Sequence, residues 1–192
     1  MTARLVVLAS GSGSTLQAIL DAAATEDFPA TVVAAGTDRP GCLAMQRAEA
    51  AGVETFAVPF ADYPDRSAWD AALVEAIDKY RPDLVALAGF MRLLAAETVA
   101  RFPMVNTHPS LLPAFPGAHA VADALAYGVR VSGVTVHRVD AGLDSGPILA
   151  QAAVEVLAED TVDSLRERIQ AVEKPLYVET IRQLCRSTGR SR

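Results

Sequence analysis

Apolar runs alternate with helical spacings along residues 4–105. Residues 5–9 are continuously apolar, as a strand buried on both faces of a parallel sheet would be. A loop rich in Gly and Ser follows, and residues 16–24 read as a helix. Residues 31–36, 54–58 and 83–89 predict further strands, with helices over 41–51, 65–80 and 97–102 between them. Trp69, Leu73 and Ile77 recur at helical spacing, which makes Trp69 a core residue. That helix stops ahead of Pro82, and Gly52 ends the helix before it. Residues 104–105 predict a short apolar strand. Beyond it, residues 119–127 read as a helix closed by Gly128. Residues 130–139 alternate more than the earlier runs, predicting an edge or antiparallel strand, and 148–156 predict a last strand. Residues 160–185 are helical, capped by Thr161 or Asp160 and broken or kinked at Pro175. The alternation predicts an α/β fold in a single domain: a doubly wound, mostly parallel sheet finished by a strand pair and a long C-terminal helix.

Composition narrows the function. The 192 residues suit one domain with a sizeable core. A formal net charge of −6 and the lack of a long basic run argue against nucleic acid as a partner. The one basic cluster is Arg186, Arg190 and Arg192, and residues 186–192 read as a frayed tail. Cys42 and Cys185 make no disulfide framework and have no metal-ligand spacing around them. A reduced, cytoplasmic protein without a metal is expected. The first apolar run is too short for a signal peptide, and no stretch is long enough to span a membrane.

The chemistry concentrates in residues 104–121. Asn106 and His108 are two apart, so an extended chain puts both side chains on one face, with Thr107 on the other. Pro109, Pro113 and Pro116 then exclude helix and regular pairing. An amide that can stabilise an oxyanion thus stands beside an imidazole that can move a proton, backed by a stiff loop. Such a tight turn raises the question of a cis Leu112–Pro113 bond. Residues 10–15, between strand and helix, form a phosphate-binding arrangement or simply a tight turn. A dinucleotide fingerprint is opposed by Leu16 in place of its third glycine. Asp38 is the one acidic residue near the end of the second strand. Asp140 and Asp144 lie among glycines, which makes a turn, and the spacing of a calcium loop is absent.

Asn106, His108, Ser110, Leu111, Leu112 and Pro113, followed by Phe115, Pro116, Gly117 and His119, resemble the signature of the phosphoribosylglycinamide formyltransferases. The resemblance covers residues 4–180. It implies a Rossmann-like formyltransferase fold with a nucleotide-binding-like half over about 4–105 and a catalytic and folate-binding half over about 106–185. It also implies that the co-substrate is 10-formyltetrahydrofolate and that no metal takes part. By the family match Gly13, Ser14 and Thr15 hold the ribose phosphate, although the family commonly has Asn where Thr15 stands. Arg66 lies near the folate, and Met91, Arg92, Leu93 and Leu94 wall the pterin pocket. Asn106 and the loop Asp140, Ala141, Gly142, Leu143 and Asp144 complete the folate site. Asn106, His108 and Asp144 are the implied catalytic residues, and Glu173 reaches the amine end of the substrate. His119 is either a helix-start residue or a substrate contact, and His137 is structural or near the folate rim. The expected partners are the two small substrates, with no nucleic acid and no membrane, in a monomer or homodimer. Three rivals share features. A methionyl-tRNA formyltransferase carries a further C-terminal domain and a basic surface. A formyltetrahydrofolate deformylase uses water as acceptor and has an N-terminal regulatory domain. A binding module would use the loops without catalysis.

Overall fold

The computed structural model describes residues 2–188. Strands β1 (Ala3–Leu8), β2 (Ala30–Thr37), β3 (Thr55–Ala57), β4 (Leu84–Leu87) and β5 (Met104–His108) are parallel. β6 (Val131–Arg138) and β7 (Ile148–Glu155) are added antiparallel. The sheet order is β3-β2-β1-β4-β5-β6-β7. The chain runs outward from β1 to β3 and then restarts at β4 on the other side of β1. The loops after β1 and β4 therefore diverge and leave a crevice at the carboxyl ends of the strands.

Both faces of the sheet are covered. On β1, Leu5 and Val7 pack with helices α1 (Ser14–Ala23), α2 (Leu43–Ala50) and α6 (Val162–Thr188). Val6 and Leu8 point the other way, onto Trp69, Leu73 and Ile77 of α3 (Arg66–Asp78), with α4 (Ala96–Arg101) beside it. This two-sided burial is why the first strand reads as a continuous apolar run. Each side chain of Leu or Val size withdrawn from water contributes about 1.5–3 kcal/mol. Trp69 is core as expected, and its indole N–H donates to the Val58 carbonyl at 2.8 Å. A third cluster joins Val121 of α5 (Ala120–Tyr127) to Val134, Val154, Leu165 and Ile169.

Some sequence expectations change. β6 is antiparallel but not an edge, because β5 and β7 pair with its two sides, and β7 is the edge strand. β5 continues past its apolar start through His108. α6 passes through Pro175 as one helix. Its start is a reciprocal box: the Ser164 N–H donates to Thr161 Oγ1 at 3.1 Å and the Thr161 N–H to Ser164 Oγ at 3.0 Å, so Thr161 is the cap. Asp160 instead accepts from the Leu157 N–H and the Arg168 guanidinium, which holds its carboxyl well below the usual range. The helix includes Arg186, and the rest of the expected tail, from residue 189, lies outside the described residues. The Leu112–Pro113 bond is cis.

Candidate active site

β5 carries Asn106 and His108 to the carboxyl edge of the sheet. The antiparallel register sets Asn106 directly opposite His137 on β6. The Asn106 Nδ2 lies 3.3 Å from His137 Nε2. The loop after β6 then returns Asp144 to the same point. There Asp144 Oδ2 is 3.3 Å from His108 Nδ1, and Oδ1 is 3.6 Å from His137 Nε2. Asp144 adopts φ 52°, and a Cβ at neighbouring Gly146 would collide with the Arg138 carbonyl, so the loop can close this tightly only with glycine there.

The hydrogen bonds divide the work of the two imidazoles. His108 is 4% exposed, and both of its ring nitrogens face oxygens: Nε2–H donates to the Phe115 carbonyl at 2.8 Å, and Nδ1 faces Asp144. A doubly protonated ring satisfies both. His137 Nδ1–H donates to the Arg138 carbonyl at 2.9 Å. Its Nε2 therefore chooses: neutral, it accepts from the Asn106 amide; protonated, it donates to Asp144. The hydrogen bond from His137 holds the Asp144 carboxyl below its ordinary range. Partial burial opposes this, while the Gly117 N–H at 2.8 Å and the charge of His108 add to it.

These groups line a cleft of about 650 Å³ together with every residue expected at the folate site. That volume suits a small organic ligand. Met91, Leu93 and Leu143 are more than half exposed, so the cleft presents apolar walls that none of the described residues covers. The two arginines are committed. Arg66 Nε donates to Asp70 at 2.7 Å, and its Nη2 to the Leu93 carbonyl. Arg92 Nε donates to Asp38 at 2.9 Å. Asp140 lines the cleft but spends its Oδ1 within the loop, on the Gly142 N–H and the Ser145 hydroxyl.

Gly13, Ser14, Thr15 and Glu173 do not line this cleft. They meet at the N-terminus of α1. Gly13 caps the helix at φ 71°, and a Cβ there would stand 2.5 Å from Ala44 Cα. The Thr15 hydroxyl is not aimed at a ligand in the loop; it donates to Glu173 Oε1 at 2.9 Å. Burial pushes the Glu173 carboxyl up, partly offset by Thr15 and Lys174. His119 stands exposed at the start of α5, makes no capping bond and lies outside the cleft lining. Among the described residues no group of three or more His, Cys, Asp or Glu is placed to hold a metal ion.

His137, expected to be structural or near the folate rim, lines the cleft and stands between Asn106 and Asp144. Its only signal was a place in an antiparallel strand whose register could not be read. Asp38, weighed only as a ribose ligand, is occupied by Arg92 and Ser10.

The formyl transferase family model matches residues 3–181. The phosphoribosylglycinamide formyltransferase of Mycobacterium tuberculosis (strain ATCC 25618 / H37Rv) is 55% identical over 184 residues, spanning 95% of this chain and 85% of that protein. The Escherichia coli K12 enzyme of the same name is 41% identical over 175 residues, 90% of this chain and 82% of its own. The crystal structure of glycinamide ribonucleotide transformylase 1 from Symbiobacterium toebii superposes with a TM-score of 0.94 at 48% identity, covering 97% of this chain and 89% of that one.

Proposed function

The chain belongs to the formyl transferase family, and from that membership we infer that it transfers the formyl group of 10-formyltetrahydrofolate to the amine of 5-phosphoribosylglycinamide, a step of purine biosynthesis. The observation that carries the reading is the cluster of Asn106, His108, His137 and Asp144 at the side of an apolar cleft.

The nucleophile is the substrate's own amine. A pKa of about 8 leaves such a group partly neutral at pH 7, so no protein nucleophile is required. Its attack on the formyl carbon gives a tetrahedral oxyanion. The Asn106 amide donates to that oxygen, and His108 joins it by exchanging the Phe115 carbonyl for the oxyanion. Asp144 holds His108 through Nδ1 and offsets its charge. The oxyanion then collapses: the carbonyl re-forms, the bond from the carbon to the folate nitrogen breaks, and the proton lost by the amine passes to that nitrogen through His108 or water. Met91, Leu93 and Leu94 take the pterin, with the Asp140–Asp144 loop as the opposite wall. The backbone N–H groups of Gly13, Ser14 and Thr15 at the start of α1 take the phosphate. Glu173 presents a buried carboxylate to the rest of the glycinamide.

The same reading places the enzyme in the cytoplasm as a monomer or homodimer, which suits its two unpaired thiols. Among the described residues no helix is long and apolar enough to cross a membrane. The decisive experiment mixes the purified protein with 10-formyltetrahydrofolate, with and without phosphoribosylglycinamide, and follows tetrahydrofolate by absorbance. Product that requires the glycinamide is expected. Product without it would make water the acceptor and overturn the transferase reading.

A further inference from the structure

Asp38 ends the approach of β2 to the sheet edge, and the reaction uses none of its chemistry. Its side chain is wholly buried. Both carboxylate oxygens are taken: Ser10 donates its hydroxyl to Oδ1, and Arg92 Nε donates to Oδ2 at 2.9 Å. The Ser10 oxygen in turn accepts from the Met91 N–H at 3.0 Å, and the Ser10 N–H donates to the Gly89 carbonyl at 3.1 Å. The Arg92 guanidinium lies 4.8 Å from the centre of the Phe60 ring. One buried carboxylate thus ties the loops after β1, β2 and β4 together at the point where the sheet order reverses. The loop after β4 is a wall of the cleft, and Met91 and Arg92 are two of its lining residues.

We propose that Asp38 is a positioning residue for the formyl donor: it sets Arg92 directly and Met91 through Ser10, and so fixes the β4 wall of the cleft. This rests on reading the cleft as the folate site. The phosphate loop has anchors of its own, the Ala44 N–H to the Gly11 carbonyl at 3.1 Å and Arg47 Nε to the Ser12 carbonyl at 2.9 Å. The effect of losing Asp38 therefore falls chiefly on the donor. What matters is the position of two hydrogen-bonding atoms more than the charge. An asparagine there can offer its oxygen to Arg92 and its N–H to the Ser10 oxygen, whereas alanine takes the acceptor away from both the partly exposed guanidinium and the buried Ser10 hydroxyl.

The test compares steady-state kinetics of the wild type with Asp38→Ala, Asp38→Asn and Ser10→Ala, with thermal denaturation alongside. For Asp38→Ala we expect a rise of about tenfold in KM for 10-formyltetrahydrofolate, with KM for the glycinamide within about twofold. Asp38→Asn recovers most of the loss. Ser10→Ala keeps the Asp38–Arg92 ion pair and removes the hydroxyl that links Asp38 to the Met91 N–H, so it gives a smaller rise in the same KM and serves if the alanine variant does not fold. An Arg92→Ala background should reduce the effect of Asp38→Ala to the share carried through Ser10 and Met91, because the Arg92 branch is then already lost. Unchanged donor KM in the alanine variants, or equal rises for both substrates, would overturn the proposal. So would failure of asparagine to rescue. Calorimetric titration with tetrahydrofolate separates this from the functional reading. If the wild type forms no glycinamide product, weaker tetrahydrofolate binding in Asp38→Ala still supports the positioning role, and unchanged binding refutes it.

Discussion

Asn106 is half-buried, and among the described residues its side chain is bonded to the neighbouring His137. Its removal therefore touches chemistry more than folding. Losing one oxyanion donor costs about 3 kcal/mol of transition-state stabilisation, so Asn106→Ala should lower kcat by about 10²–10³ and shift stability by less than about 1 kcal/mol. Stopped-flow single turnovers with saturating substrates would read the first, and a thermal melt the second. Near-normal turnover would remove Asn106 from the site. Two carboxylates nearby should respond to pH with opposite signs. Glu173 has a folded pKa raised by burial, so its contribution is full below the unfolded value of about 4.3 and is lost as pH rises through the folded one. Asp144 has a folded pKa lowered chiefly by His137, so its contribution is full above about 3.9 and is lost as pH falls. Melts from pH 2 to 8 should show Glu173→Gln gaining on the wild type as pH rises above about 4. Asp144→Asn should stand below the wild type by a constant amount above about pH 4 and converge with it only at lower pH. Parallel curves for both variants would contradict the assigned shifts. At this scale the sequence was legible where chemistry follows from local spacing. Asn106 and His108 share a strand face because side chains alternate. His137 was not legible, because it meets Asn106 through a cross-strand register that no local pattern encodes. The fates of Arg66 and Arg92 were equally hidden, since Leu93 and Asp38 reach them only through tertiary contact, whereas Asp140 bonds within its own loop, as a turn among glycines does.

The phosphate loop is a property of an element, the N-terminus of α1, more than of any side chain. Gly13 holds φ 71° and has Ala44 of α2 packed where a Cβ would go. Alanine there must move either the helix start or α2, and either shift re-aims the N–H groups of residues 13–15. Gly13→Ala should thus raise KM for phosphoribosylglycinamide by at least about tenfold, while KM for 10-formyltetrahydrofolate changes little. Equal effects on both would mean that the loop does not serve the phosphate. Thr15 stands where the family commonly has asparagine, and its hydroxyl is turned to Glu173, so in the proposed site the grip on the phosphate falls to backbone N–H groups. Element identities were legible because two-sided burial writes continuous apolar strands and amphipathic helices. The departures have physical causes. Residues 130–139 alternate in type and yet are interior, because β7 covers the outer side of β6 and helices α5 and α6 pack beside it. Pro175 did not end α6, whose residues on either side of it, Ile169 and Tyr177, are fully buried in the core. Packing there outweighs one missing backbone hydrogen bond.

In the proposed reading the two subsites share the carboxyl edge of the sheet and lie on either side of the β1–β4 reversal, the phosphate loop after β1 and the donor cleft beyond β4 and β5. Each subsite draws on the loops that the other needs: Ser10 opens the phosphate loop and also bonds Met91 of the cleft wall. A ligand that binds only the folded state stabilises it by RT ln(1 + [L]/Kd), about 2.7 kcal/mol at 100 times Kd. For a chain of this size that is a rise of about 5–11 °C in the melting temperature. Tetrahydrofolate and phosphoribosylglycinamide, each near 100 times its Kd, should each give a rise in that range. Were the subsites independent, the stabilisations would add to within about 0.5 kcal/mol. The shared Ser10–Met91 link argues for more than that: the first ligand orders a strand-end framework that the second then finds already set, so the pair should exceed the sum. Scanning calorimetry with each ligand alone and with both measures the difference directly. An excess in the wild type that disappears in Ser10→Ala would locate the coupling in that hydrogen bond. Strict additivity in both proteins would make the two halves of the sheet edge thermodynamically separate sites that merely share a frame.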